Sequence, residues 1–453
     1  MRIAVVGLVA LLAADADAQP IRTMSLREAI AYARQHQPSL QAALARVAVA
    51  QEQAQLPRAA WSPKIAAGAE LLVGTNNNTT ASYGGPIGFF IPRIGGTPAN
   101  APVKLSPEPS TLAGVGVFQE VYDFGRLTAQ ASALDYFAKA QEEDAKLADL
   151  DLTLYVEESF YAVAGAHAVL KAAEAAVQRA TTHRDLAKAG VDAKLRPPIE
   201  LTRAEADLAR FEVERVRAQG SLTSAQAVLA AAIGAPDPAI DAGADDVTHA
   251  PAPTLEAAVH QLDQRDPAMR AAADALQGQR ELTHAIEAER HPDLSLVAGV
   301  TGRAGGTPVA GNDTPFGDGW VPSVPNWDAM IMLTWPLFDR TVDVRAETSR
   351  RVERVRAAEV DAQREQLTGR AAQVYVDFQV AQSAVPALQR SLDAARANQD
   401  QADARFKNGF ANAVELADAE ALLTDAEIQL AIGQFQLARA QARLARALSE
   451  DVK

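Results

Sequence analysis

Trp327-Asp328-Ala329-Met330-Ile331-Met332-Leu333-Thr334-Trp335 places Trp327, Ala329, Ile331, Leu333 and Trp335 on one face of an extended chain and Asp328, Met330, Met332 and Thr334 on the other. Such period-two alternation is the pattern of a strand with one apolar face, and about ten residues is what a tilted strand needs to cross a bilayer. A second stretch repeats it, with Leu294, Leu296, Ala298 and Val300 opposing Asp293, Ser295, Gly299 and Thr301. Two fainter stretches complete the set, so strands are expected at 64–74, 112–122, 293–303 and 327–337, with Glu70 and Glu120 facing a polar lumen. Gly/Pro/Asn-rich segments at 75–111 and 304–326 join the strands of each pair, as long outer loops join the strands of membrane barrels. Near the opposite strand ends, Trp61, Tyr122, Phe124, Trp335 and Phe338 suit an interfacial aromatic belt. The competing reading is ordinary core aromatics at a helix–strand junction.

Four strands cannot close a barrel, and open edges are not tolerated in lipid, so subunits must supply strands to one another. Two subunits would give eight strands and three would give twelve; the wider tube suits a conduit better than a filled eight-stranded one.

Outside the strands the chain is dominated by Ala, Leu, Gln, Glu and Arg, with aromatics at only 5% of its 453 residues, which reads as long helices packed side by side. Leu416, Leu423, Leu430, Leu437 and Leu444 recur every seven residues, with Ala419, Ala426, Gly433, Ala440 and Ala447 three after each. This is an a/d seam with small d residues that let neighbouring helices approach closely. One helix in each half is much longer, at 125–187 and 340–406; at 1.5 Å per residue each would be roughly 95 to 100 Å long. Shorter helices are expected at 38–60, 198–234, 267–290 and 412–449.

The two halves are copies of one unit. Ser25-Leu26-Arg27-Glu28-Ala29 matches Thr254-Leu255-Glu256-Ala257-Ala258, and the same offset carries Pro38 onto Pro267 and Pro63 onto Pro292. The first repeat is expected over 19–235, a Pro/Ala/Asp-rich linker over 236–253 and the second repeat over 254–450. Ahead of them, Arg2, the apolar run Ile3 to Ala14 and Ala16-Asp17-Ala18 form the pattern of a secretory signal occupying 1–18.

Charge and composition exclude several function classes. Lys+Arg 43 against Asp+Glu 57 leaves a net charge of -14, which repels nucleic acid and provides no basic stripe. No cysteine is present, so disulfides, thiolate metal sites and cysteine nucleophiles are ruled out. The seven histidines show no metal-ligand spacing, and no nucleotide-binding or nucleophile-elbow motif occurs. Neither a catalytic constellation nor a cofactor or metal site is expected.

The duplicated layout, the junctions Tyr122-Asp123-Phe124-Gly125-Arg126 and Leu337-Phe338-Asp339-Arg340, and the turn running from Phe406-Lys407-Asn408-Gly409-Phe410 to Leu416 resemble the TolC family of outer-membrane efflux proteins over nearly the whole mature chain. The second junction lacks the family's glycine, and Lys194 to Pro198 lengthens the first turn. The resemblance implies a mainly α protein with a membrane β-barrel. Three subunits would share a twelve-stranded barrel in the outer membrane, above an α-barrel of long antiparallel coiled-coil helices reaching into the periplasm. It implies a passive duct for efflux or type I secretion. Its partners would be two further copies of the chain, outer-membrane lipid, a periplasmic adaptor and an inner-membrane pump.

Carried over residue by residue, it makes Lys188, Gly190 and Val191, and Lys407, Gly409 and Phe410, the adaptor-facing hairpin turns. It also makes Glu415 and Asp418 a pore constriction of stacked carboxylate rings. Ala411 stands where the family often has a basic residue. The rival reading of the chain is a soluble periplasmic coiled-coil scaffold capped by a small β domain.

Overall fold

A computed structural model describes residues 22–75, 82–84, 90–92, 107–236, 240–245, 254–257, 265–305, 321 and 324–449. The expected signal segment 1–18, and most of the two long inter-strand loops, lie outside the described residues. In chain order the elements are β1 (Arg22–Met24), α1 (Leu26–His36), α2 (Pro38–Gln53), α3 (Leu56–Ala60), β2 (Lys64–Thr75), β3 (Ser82–Gly84), β4 (Phe90–Pro92) and β5 (Pro107–Tyr122). There follow α4 (Arg126–Asp192), α5 (Ile199–Ile233), β6 (Ile240–Ala242), α6 (Pro267–Ala288), β7 (Asp293–Gly305), β8 (Val324–Thr334), α7 (Arg340–Lys407) and α8 (Ala413–Ala447). The chain divides into two compact units, one of residues 1–45, 143–270 and 362–453, the other of 46–142 and 271–361.

In the first unit α8 buries Leu416, Ala419, Leu423, Ala426, Leu430, Gly433, Ala440 and Leu444 along its heptad seam. The corresponding seam of α5 buries Phe211, Ala218, Leu222, Leu229 and Ala232 but is interrupted by exposed Arg215. The densest core gathers Leu26, Ile30, Val156, Phe160, Val163, Leu229 and Ile233, roughly 1.5 to 3 kcal/mol of transfer free energy for each fully buried large side chain. Two elements here had no sequence signal: β1 and β6 pair in parallel, Met24 opposite Ala242. Strands of three residues are too short for alternation to register. The start of α1 is held by a capping box in which Ser25 accepts from the Glu28 amide at 3.2 Å and Glu28 accepts from the Ser25 amide at 2.9 Å. The duplicated position behaves alike, the Thr254 hydroxyl accepting from the Ala257 amide.

In the second unit β2, β5, β7 and β8 form one antiparallel sheet in that order. The fourth strand runs 324–334 and not 327–337, because Pro336 has no amide to continue a ladder; Trp335 and Phe338 therefore lie beyond it. The two junction aspartates cap the long helices. Asp123, buried, accepts from the Gly125 and Leu127 amides at 3.1 and 2.6 Å, and Asp339 accepts from the Thr341 amide at 2.8 Å, each supplying a partner to helix-start donors that have none within the helix.

Candidate functional site

Strand register sorts the sheet into two chemically different faces. One row runs Ile65, Val117, Ala298, Ala329 across all four strands, and the next runs Ala67, Val115, Val300, Trp327. Below them Leu296 pairs with Ile331 and Leu294 with Leu333. These side chains are apolar and many are bare to solvent: Ile65, Leu71, Trp327 and Ile331 are 67% exposed or more. An apolar face of this extent is not stable against water and marks a lipid or protein contact.

The opposite face carries Ala66, Gly116, Gly299 and Asp328 in one row and Gly68, Gly114, Thr301 and Asn326 in the next. Glu70 and Glu120 both fall on it, Glu70 opposite Leu112 and Glu120 opposite Ser295. Glu120 forms an ion pair with Arg126 at the start of α4. The same face also carries the row Lys64, Phe118, Val297 and Met330; its glycines, Asp328 and the two glutamates are what leave room and hydrogen-bonding capacity for water.

The aromatics collect at the helix-proximal end of the sheet. Tyr122 and Phe124 meet edge to face with centroids 4.8 Å apart, and Phe124 stacks on His291 at 5.4 Å. Trp335 donates from Nε1 to the Arg290 carbonyl at 3.2 Å, and Trp61, half-buried, accepts at its carbonyl from Gln119. Phe338 is 88% exposed. Apolar rings with a polar edge or neighbour, presented outward at strand ends, suit a membrane–water boundary.

At the other functional region, in the first unit, the turn between α4 and α5 does not fall where glycine suggested. Lys188, Gly190 and Val191 are the last turns of α4, and the chain reverses over Ala193–Pro198, with Lys194 and not Gly190 at positive φ, +57°. Pro197 and Pro198 stand immediately before α5, with Pro198 as its N-cap, where a missing amide costs no intrahelical bond. Gly190 serves packing: its carbonyl accepts from Leu195 and Arg196 at 2.9 and 3.1 Å, and a Cβ there would lie 2.8 Å from Arg196 Cδ.

The second turn keeps Gly409 at φ +75°, with Lys407 ending α7 and Phe410 76% exposed. Asn412 caps α8, accepting from the Glu415 amide at 2.9 Å. Glu415 also accepts from Arg405 Nε at 2.9 Å across the turn, so its charge is matched within the chain. Asp418, one turn on, is exposed.

Sequence reasoning missed the contacts that join these two hairpins. Arg196 lies 3.8 Å over the Phe406 ring and donates to its carbonyl at 3.2 Å. Arg179 donates to Thr424 and Glu427 at 3.0 and 3.2 Å, and His183 Nδ1 stands 3.4 Å from Glu420 Oε2. The available signal was Glu420 itself, a carboxylate directly beside the seam residue Ala419. No described helix is long and apolar enough to cross a membrane.

The profile of the family described as outer membrane efflux protein matches residues 29–235 and 258–450, once for each repeat. The fold is similar to that of VceC from Vibrio cholerae, with a TM-score of 0.75, 20% identity and coverage of 94% of this chain and 96% of that one. It is similar to the CmeC outer membrane channel of Campylobacter jejuni, at TM-score 0.75, 15% identity and coverage of 94% and 85%. The open state of the MtrE outer membrane channel of Neisseria gonorrhoeae matches at TM-score 0.72, 20% identity and coverage of 94% and 89%. No curated protein sequence matches the chain.

Proposed function

Since this chain belongs to the outer membrane efflux protein family and is an outer-membrane efflux channel, we propose that three copies close one barrel and that the assembly works with a periplasmic adaptor and an inner-membrane pump. The observation that carries the proposal is the sheet. Among the described residues β2 and β8 each pair on one side only, its outer rows are apolar, and an open strand edge in hydrocarbon leaves amide groups unsatisfied at several kcal/mol each. Pairing β8 of one copy with β2 of the next removes every edge. Three copies of four strands give a tube wide enough to hold water, lined by the face that carries the glycines, Glu70, Glu120 and Asp328. A soluble scaffold offers nothing to cover the apolar face.

The duct performs no chemistry of its own in this reading. The pump supplies energy, the adaptor couples it, and small molecules or proteins pass through the lumen. The adaptor would meet the turns at Ala193–Pro198 and at Lys407, Gly409 and Phe410, with Lys188, Gly190 and Val191 just behind the first. Glu415 and Asp418 would ring the tunnel entrance and attract cations there, Asp418 more strongly because Glu415 is matched by Arg405. The protein is expected to fractionate with outer membranes and to migrate as a trimer in mild detergent; recovery as a monomer in periplasmic extract would overturn the proposal. In planar bilayers Asp418→Ala should weaken cation block of conductance more than Glu415→Ala, and unchanged block in both would remove these residues from the pore.

A further inference from the structure

The hairpin of α4 and α5 and the hairpin of α7 and α8 meet through a buried polar contact. His183 on α4 and Glu420 on α8 lie 3.4 Å apart with side chains only 15% and 6% exposed, and the imidazole packs at 5.5 Å from the Phe406 ring of α7. The space beside them, walled by Ala187, Phe211, Ala413 and Ala417, is about 20 Å³, room for about one water. A site so small takes a proton and little else.

We propose that His183 and Glu420 form a proton-operated tie between the two hairpins, which holds them together while the pair carries one proton and loosens as that proton leaves. The proposal rests on the reading above that these turns face the tunnel entrance.

Each packed element contributes charge to the pair. Arg179 stands on α4 and Asp207, with Glu200 and Arg203, on α5. Asp403 and Lys407, themselves ion-paired at 2.7 Å, come from α7, and Arg196 comes from the first turn. Burial dominates: it pushes Glu420 up to about 7, with Arg179 opposing and Asp207 and Asp403 reinforcing. Burial pulls His183 below its ordinary 6.5, opposed by Asp403 and Asp207 and reinforced by Lys407 and Arg196.

The two shifts act in opposite directions. Glu420, raised when the hairpins are packed, contributes cohesion that is complete below 4.5 and lost as pH rises through about 7. His183, lowered, contributes cohesion present above 6.5 and lost as pH falls below it. Between about pH 6 and pH 8, Glu420 alone favours separation about tenfold, and His183 opposes it in part. The net for the intact pair is a loosening of less than about tenfold.

The chain has no cysteine, so a single thiol reports cleanly. In the full-length protein in detergent, Ala417→Cys on the cavity wall is labelled with a methanethiosulfonate reagent, and its rate is divided by that of Phe410→Cys, which stays exposed. The ratio should rise by less than about tenfold from about pH 6 to pH 8, rise about tenfold with His183→Gln, and fall with Glu420→Gln. A ratio flat with pH, a slope unchanged by His183→Gln, or a rise surviving Glu420→Gln would each overturn the tie. Labelling needs no conducting pore, so a protein that shows these slopes and conducts nothing keeps the tie and loses the tunnel-entrance reading.

Discussion

Arginine placed at the middle of β8 separates the two faces of the sheet most sharply. Ala329 is exposed and its row continues through Ala298 and Val117 to Ile65, all apolar and, in the proposed barrel, all facing lipid. Met330, the next residue, is half-buried on the opposite face, opposite Val297. An arginine on the lipid face near the bilayer midplane costs about 2 to 4 kcal/mol, and three symmetry-related copies make about 6 to 12 kcal/mol per trimer. In the proposed barrel Met330→Arg points into the lumen and loses side-chain packing of about 1 kcal/mol. The assay is refolding into phosphatidylcholine vesicles across a urea series, with folded trimer read from gel mobility without heating. Ala329→Arg should yield little trimer at any urea concentration, and Met330→Arg should refold near the wild-type midpoint. Equal refolding by the two variants, or greater damage from Met330→Arg, would refute both the register and the assignment of the outer face.

Two further outcomes follow from the first unit. Gly234 and Gly409 both sit at positive φ, +72° and +75°, but a Cβ on Gly234 would lie 2.9 Å from the His36 carbonyl oxygen, while Gly409 has nothing within 4 Å. Gly409→Ala should therefore cost only the left-handed strain of about 1 to 2 kcal/mol, and Gly234→Ala measurably more, read as the larger fall in thermal midpoint. Glu157 is 1% exposed, and burial, then Asp245 and Glu158, push its carboxyl up to about 8. A carboxyl raised in the folded state gives stability that is complete below 4.5 and lost as pH rises through about 8. Glu157→Gln should consequently flatten the fall in thermal midpoint between about pH 6 and pH 9; an unchanged slope would show that another group titrates there.

The four long strands were legible because their information is local. Alternation from Trp327 to Leu333 needs no knowledge of the partner strand, since successive side chains of any strand point to opposite faces. The heptad of α8 was legible for the same reason, and so was the duplication, whose caps at Ser25 and Thr254 recur because each copy must begin its helix alike. The register itself was not: nothing in the order of residues says that Val300 stands opposite Trp327, because pairing is set jointly by both strands and their connections.

The turns divide along the same line. Gly409 lies in a tight turn that requires φ > 0, and only glycine adopts that conformation without strain, so its place could be read directly. Gly190 resembled it in type and spacing, yet α4 runs two residues past it and the positive φ falls at Lys194. Arg196 and Phe406, Arg179 and Glu427, and His183 and Glu420 are brought together only when α4 packs beside α7 and α8. Periodicity and turn chemistry depend on neighbours along the chain and are written in it. Contacts between distant segments, and the charge states that burial then imposes, depend on distance in space and exist only in the folded protein.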